Sequence, residues 1–111
     1  MTDPVDLTHL RELTGGDKEM ESMLYDLFVS TSDECIADIE SNATEGHNDV
    51  WRKQTHALKG SALNVGANDM AQVCSVAQDN ADASAEQKAQ MLADIKNHYD
   101  LVKAFLEGEL H

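Results

Sequence analysis

Apolar residues recur every three or four positions along most of the chain, a spacing that predicts amphipathic α-helices. The single proline stands at position 4, and the six glycines fall mostly between the periodic stretches. No stretch shows the alternation of apolar and polar residues that a half-buried β-strand requires. Short polar joints separate one short helical stretch and four longer ones. The pattern therefore predicts an all-α fold, an antiparallel four-helix bundle with a short extra N-terminal helix.

The first two helices are each expected to begin at a capping aspartate. Asp3 caps the first, with Pro4 in its first helical position, and this helix ends at Gly15–Gly16. Asp17 caps the second, which continues to Glu45–Gly46. The expected inward-facing residues are Leu7, Leu10, Leu13, Met20, Met23, Leu24, Leu27, Phe28, Cys35, Ile36 and Ile39. The second helix would turn an acidic face outward, with Glu19, Glu21, Asp26, Asp33 and Glu40.

The third helix is expected to run from a cap at Asn48 through Val65. Gly66 follows, where a residue in the left-handed conformation commonly ends a helix. Its apolar stripe is spaced four, three, four and three, as a core-facing stripe should be. The stripe comprises Trp51, Thr55, Leu58, Ala62 and Val65.

Two further helices complete the predicted bundle. Asn68 caps the fourth, which frays over residues 79–83. Ser84 and Gln87 form a capping box for the last helix, which runs to Gly108. The expected core positions of the two helices are Met70, Val73, Cys74, Ala77, Leu92, Ile95, Tyr99, Val102 and Leu106.

Composition limits what this chain is expected to bind. Its 111 residues, 41% of them apolar, suit one domain over 1–111 with a bundle core at about 17–107. A formal charge of −13 argues against nucleic acid and anionic membranes as partners. Without a membrane span or a secretory signal, the chain is expected to be cytoplasmic. We also expect it to be a monomer. The two cysteines, Cys35 and Cys74, fall at core spacing and are expected to be buried free thiols.

Several catalytic and metal-binding patterns are missing from the sequence. It has no G-x-S-x-G elbow, and no glutamate is followed three residues later by histidine, as a carboxylate-bridged metal site in a bundle requires. Calcium loops and glycine-rich phosphate loops are missing as well. We therefore expect neither an autonomous enzyme nor a bound metal or other cofactor.

One face of the third helix gathers a histidine, cations and a glycine. At about 100° per residue, Lys59 lies to one side of His56 and Gly60 to the other, one turn further on. Arg52 and Lys53 lie on the same face one turn before the histidine. A glycine inside a helix costs about 1 kcal/mol relative to alanine, so it usually serves packing or function. Close helix packing is the alternative explanation for Gly60, and Arg52 and Lys53 are equally consistent with ordinary solvated charges.

The chemistry of this face suits phosphoryl transfer. An exposed imidazole is largely uncharged near neutral pH and is then a competent nucleophile toward phosphorus. A protein-bound phosphoryl group carries about two negative charges, which nearby cations would stabilise on so acidic a chain. A glycine beside the ring would leave room for the phosphoryl group and for an approaching protein.

The segment from His56 to Ala67 resembles the histidine-containing phosphotransfer (HPt) domain family, whose motif reads roughly H-x-L-K-G-S-[SA]-x-x-[LIV]-G-A. By this resemblance His56 is the phosphorylated residue, Lys59 the cation near the phosphate, Gly60 the clearance residue and Ser61 the small residue after it. Some members hydrogen-bond the imidazole through a glutamine on the following helix, and Gln78 stands at the matching spacing. The motif departs from the common pattern at two places: Ala62 replaces a serine, and Leu63 replaces a residue that is often small. We expect Leu63 to enlarge an apolar docking surface.

The resemblance implies a phosphoryl carrier in a multistep His-Asp phosphorelay. His56 would accept phosphate from a receiver-domain aspartate of a hybrid kinase and pass it to a response regulator, with Mg²⁺ held by the receiver. The receiver is expected to dock over the third and fourth helices. The alternative is a helical interaction module that binds a receiver or kinase without carrying phosphate.

Overall fold

The computed structural model describes residues 3–43 and 46–110, and it confirms an all-α chain with a short N-terminal helix. Within these ranges no residue forms a β-strand, and no helix is long and apolar enough to cross a membrane. The five helices are α1 (Leu7–Thr14), α2 (Lys18–Ser41), α3 (Asn48–Asn64), α4 (Asn68–Asp79) and α5 (Ala85–Leu110).

Helix α3 lies between α2 and α4, and α5 packs against both of these and closes the bundle. The predicted core stripe of α3 is confirmed, because all five of its residues are buried. The stripe of α5 from Leu92 to Leu106 is buried as predicted, and so are Cys35 and Cys74. On α4, Ala71 joins Met70, Cys74 and Ala77 in the core, while Val73 is only partly buried.

The predicted core face of α2 is wrong over its first half. Met20, Met23 and Leu27 are 47%, 65% and 61% exposed. The stripe that faces the core is displaced by about one position, and it consists of Glu21, Tyr25, Phe28, Ser32, Cys35, Ile36 and Ile39. Because this stripe includes a glutamate, a serine and a tyrosine, hydrophobicity alone selects the neighbouring, more apolar stripe.

Of the buried polar side chains of α2, Tyr25 and Glu21 have partners on other elements, whereas Ser32 Oγ has no hydrogen-bond partner among the described residues. The Tyr25 hydroxyl donates to Glu107 Oε1 at 2.6 Å, and the Tyr99 hydroxyl of α5 donates to Asp33 Oδ1 at 2.8 Å. Glu21, predicted on the acidic outer face, is instead buried, where the Thr14 hydroxyl donates to its carboxylate at 3.4 Å. These hydrogen bonds offset the cost of burying polar atoms and tie α2 to α1 and α5.

Helix α1 begins later than predicted, because the segment before it crosses the α3–α4 turn. Asp6, and not Asp3, caps α1 by accepting hydrogen bonds from the backbone N–H groups of Thr8 and His9. Val5 is buried, and the Asp6 N–H donates to the Gly66 carbonyl at 2.8 Å. Asp6 itself is extended, with φ of −82° and ψ of 94°, and Pro4 lies outside the helix. Leu13, predicted to face inward, is 53% exposed.

The other helix ends are partly as predicted. Asp17 caps α2, and Ser84 and Gln87 form the reciprocal capping box, with two hydrogen bonds of 3.2 Å. His47 and Ala67 occupy the cap positions of α3 and α4, so the asparagines predicted as caps lie inside those helices. Helix α2 ends at Ser41, ahead of the predicted stop, and α5 continues past Gly108. Glu45, predicted at the end of α2, lies outside the described residues.

Gly66 ends the α3 segment as predicted, with φ of 78° in the left-handed region. A Cβ at this position would lie 2.7 Å from the Asp6 carbonyl oxygen, closer than real Cβ contacts. Glycine is therefore favoured at position 66 for two reasons. The backbone there is left-handed, and a Cβ would clash with the Asp6 carbonyl oxygen.

Candidate functional site

His56 lies on the exposed face of α3, opposite the buried stripe of that helix. One side of this face borders α4, and we call it the α4 flank. The other side borders α2, and we call it the α2 flank. Lys59 is on the α4 flank and Gly60 is on the α2 flank. A rotation of about 100° per residue places the two on opposite sides of His56. The two flanks differ in chemistry.

The α4 flank holds the imidazole by a side-chain contact. Gln78 Nε2 lies 3.2 Å from His56 Nδ1. An amide group presents a donor and an acceptor and therefore suits either tautomer of a neutral imidazole. The contact occupies Nδ1 and leaves Nε2 as the ring nitrogen available to a reactant.

Lys59 also contacts α4. Its Nζ donates to Ser75 Oγ at 3.4 Å, and both side chains are partly buried. Ser75 and Gln78 are one turn apart on α4, as His56 and Lys59 are on α3, so the antiparallel helices form two matched cross-contacts. Ser75 was not predicted as a site residue, because no short motif includes it. Only the pairing of residue 56 with 78 and of 59 with 75 reveals it.

The α2 flank is open. Outside the local α3 backbone, no heavy atom of the described residues lies within 4 Å of a Cβ placed on Gly60. Close packing against a neighbouring helix therefore does not explain this glycine. Beside it, a groove of about 310 Å³ runs between α2 and α3. Ser61 and Gly60 contribute to its wall, together with Leu24, Leu27, Phe28, Thr31, Ala57, Asn64 and Val65.

Exposed apolar side chains continue from this groove along α2. Met20, Met23 and Leu27 are spaced three and four apart and form one stripe, which we call the α2 apolar stripe. On α3, Leu63 is 44% exposed, as expected from the sequence. Among the described residues of α4, Val76 is the only large exposed hydrophobic residue. Most of the apolar surface beside His56 therefore lies over α2 and α3, with Val76 on α4, and the docking of a receiver over α3 and α4 stays a prediction.

The two cations before the histidine differ in their partners. Arg52 Nη1 lies 3.5 Å from Asp49 Oδ1, an exposed pair one turn apart that contributes little to stability. Lys53 is exposed, and it makes no ion pair within the described part of the chain. Both residues stand on the His56 face of α3.

Other nucleophilic groups are poorly suited to chemistry. Burial, followed by the charge of Cys35, raises the pKa of the Cys74 thiol to about 12, so this thiol is protonated at neutral pH. Burial likewise raises the pKa of Cys35. His98 makes a local contact between Nδ1 and the Asp94 carbonyl at 2.9 Å. Among the described residues, no group of three or more histidines, cysteines or carboxylates is placed to hold a metal.

The comparisons with known proteins agree with this architecture. The family model described as the Hpt domain matches residues 23–105, about three quarters of the chain. The match includes α3, α4 and most of α2 and α5. No curated protein and no solved structure matches the chain significantly. The extent of the family match shows that this chain belongs to the Hpt domain family, whose members carry phosphoryl groups in His-Asp phosphorelays.

Proposed function

We propose that His56 is the phosphoryl-carrying residue of this Hpt domain. In this proposal it accepts the group from the aspartate of one receiver domain and donates it to another. The observation that carries the proposal is the placement of one exposed imidazole between Gln78 and the open space at Gly60. The ring is held on one side and accessible on the other, as a carrier that meets successive protein partners requires.

The transfer step follows from the free ring nitrogen. The Nε2 lone pair forms the N–P bond while the P–O bond to the receiver's aspartyl carboxylate breaks, and the aspartate leaves with that electron pair. For Nε2 to carry the lone pair, the proton of the neutral ring must sit on Nδ1. The Gln78 amide then turns its oxygen toward Nδ1 and accepts a hydrogen bond from it. Donation to the next receiver reverses these bond changes.

Charge is the second requirement. A phosphoryl group adds about two negative charges to a chain of formal charge −13. Lys59 stands one turn after His56, and Lys53 stands one turn before it on the same face. Their ammonium groups would therefore stabilise the negative charge of the phosphoryl group. Arg52 would assist when it leaves Asp49. We assign the Mg²⁺ ion and the second nucleophile, the aspartate, to the receiver.

The receiver docks, in this proposal, over α2 and α3. The groove beside Gly60 continues into the α2 apolar stripe, and apolar surface of this kind marks protein interaction sites on soluble domains. Ser61 lines the same groove, and Leu63 is exposed on the same helix. Apolar contacts provide affinity, and the basic residues around His56 orient the phosphoryl group.

The test is transfer from receiver domains phosphorylated beforehand with acetyl phosphate. We expect phosphate to appear on the wild-type protein as an acid-labile, alkali-stable adduct, because a phosphoramidate has that stability. His56→Gln should fold normally by circular dichroism and carry no phosphate. A protein that binds a receiver but never becomes labelled would instead be the non-catalytic interaction module. Labelling retained in His56→Gln would place the acceptor elsewhere.

A further inference from the structure

Helix α4 presents two polar side chains to the two functional residues of α3, and only one of them contacts the histidine. Gln78 meets His56, and one turn away Ser75 meets Lys59 at 3.4 Å. We propose that Ser75 is a positioning residue that sets the location of the Lys59 ammonium for phosphoryl transfer. This inference rests on the proposed function, because it concerns how Lys59 serves the phosphoryl group on His56.

The geometry gives Ser75 this role through the flexibility of lysine. A lysine side chain has four rotatable bonds, and fixing it at a defined position has a substantial entropic cost. Ser75 Oγ accepts one N–H of the ammonium and so restricts it to the α4 flank of His56. The remaining N–H groups stay available to phosphoryl oxygens.

The surroundings of Lys59 agree with this position of its ammonium group. Burial and the charge of Cys35 raise the pKa of the Cys74 thiol, and the Lys59 charge acts in the opposite direction. The ammonium therefore lies near the residue that precedes Ser75. Lys59 is partly buried between α3 and α4, whereas Lys53 on the other flank is exposed.

Ser75 lies away from the proposed docking surface. The groove and the α2 apolar stripe are on the opposite flank of α3. A change at Ser75 should therefore alter the transfer step within the complex and leave the affinity of docking unchanged. This separation distinguishes a positioning residue from a residue that contacts the receiver.

The experiment measures phosphoryl transfer from a phosphorylated receiver over a range of receiver concentrations. We expect Ser75→Ala to lower the limiting first-order rate by about three- to tenfold, with the half-saturating receiver concentration unchanged. Ser75→Thr keeps the hydroxyl and should restore most of the rate. Ser41→Ala, at an exposed serine that ends α2, is the matched control and should behave as wild type.

A double-mutant cycle with Lys59→Met decides whether Ser75 acts through the lysine. In the Lys59→Met background, Ser75→Ala should have no further effect on the limiting rate. An equal loss of rate in both backgrounds, or a failure of Ser75→Thr to rescue, would overturn the inference while leaving the role of His56 intact. A wild-type protein that takes no phosphate from any receiver would instead refute the proposed function, and the role of Ser75 with it.

Discussion

At the scale of single residues, the site depends on an asymmetry between the two flanks of one histidine. Gln78 and Ser75 fix the α4 flank through contacts at 3.2 and 3.4 Å, whereas Gly60 leaves the α2 flank open. In the proposed function, His56 presents its Nε2 atom, Lys59 and Lys53 stabilise the added charge, and the receiver supplies the metal ion and the aspartate.

Gly60 allows the clearance argument to be tested against stability. Because the space around it is open, Gly60→Ala should raise the free energy of unfolding by about 1 kcal/mol through helix propensity alone. Gly60→Gln should also be tolerated by the fold, but its longer side chain would obstruct the receiver and slow transfer by about tenfold or more. Urea denaturation and transfer kinetics on the same preparations check both effects. A destabilised alanine variant, or undiminished transfer by the glutamine variant, would contradict the clearance role.

At the scale of elements, the α3–α4 turn is where the N-terminal segment is fastened to the bundle. Gly66→Ala would place a Cβ in the left-handed region and against the Asp6 carbonyl oxygen, so we expect a loss of about 1–3 kcal/mol. Gly15→Ala is the matched control, because Gly15 has φ of 64° but no described neighbour within 4 Å of its Cβ position. Chemical denaturation should show the larger loss for Gly66→Ala. Equal losses would mean that the contact with Asp6 contributes nothing.

The hydrogen bonds between tyrosines and carboxylates that join α2 to α5 predict a loss of stability at alkaline pH. Burial and the hydrogen bond to Glu107 raise the pKa of Tyr25 from 10.0 to about 12. Between these values the unfolded chain loses the phenolic proton and the folded chain keeps it, so stability falls as pH rises. Tyr25→Phe should cost about 1 kcal/mol at pH 7 and flatten this decline. Urea denaturation at pH 7 and across pH 10–12 measures both; a decline as steep as in wild type would exclude Tyr25 as a contributor.

Helix α2 shows why the elements were easier to predict than their orientation. On α3 and α5 one apolar stripe stands alone, and the predicted core was confirmed. Helix α2 carries two neighbouring stripes, and the core takes the less apolar one because Tyr25 and Glu21 find partners on α5 and α1. Those partners are distant in sequence, so periodicity does not reveal them. Ser75 was missed for the same reason, since its relation to Lys59 depends on the register between α3 and α4.

At the scale of the whole molecule, basic side chains are few, and several of them make contacts away from His56. Of the eight lysines and arginines, Lys88 is buried with its Nζ 5.3 Å from the Trp51 ring centroid, and Lys96 lies 3.1 Å from Glu40. Against this acidic background, Lys53 and Lys59 concentrate positive charge beside His56. The apolar surface adjoins the same place, so charge and shape both support the proposal that the receiver docks on this face of the bundle.

Two leucines of nearly equal exposure test this assignment of the docking face. Leu27, in the α2 apolar stripe, is 61% exposed, and Leu101, on α5, is 60% exposed. Leu27→Ser should raise the receiver concentration for half-maximal transfer about tenfold, because it removes apolar contact from the interface. Leu101→Ser should leave that concentration unchanged, and thermal unfolding should show only small effects for both. Equal effects of the two changes, or a larger effect of Leu101→Ser, would move the docking face away from α2.

The central claim is that a phosphoryl group passes through His56. The most direct measurement is a two-step transfer in which the protein is labelled by one phosphorylated receiver, purified and mixed with a second, unphosphorylated one. Fragment mass spectrometry under alkaline conditions locates the phosphate at each step. The account predicts phosphate on His56 after the first step and its loss from His56 to the second receiver's aspartate. Phosphate on another residue, or none after exposure to receivers that bind the protein, would contradict it.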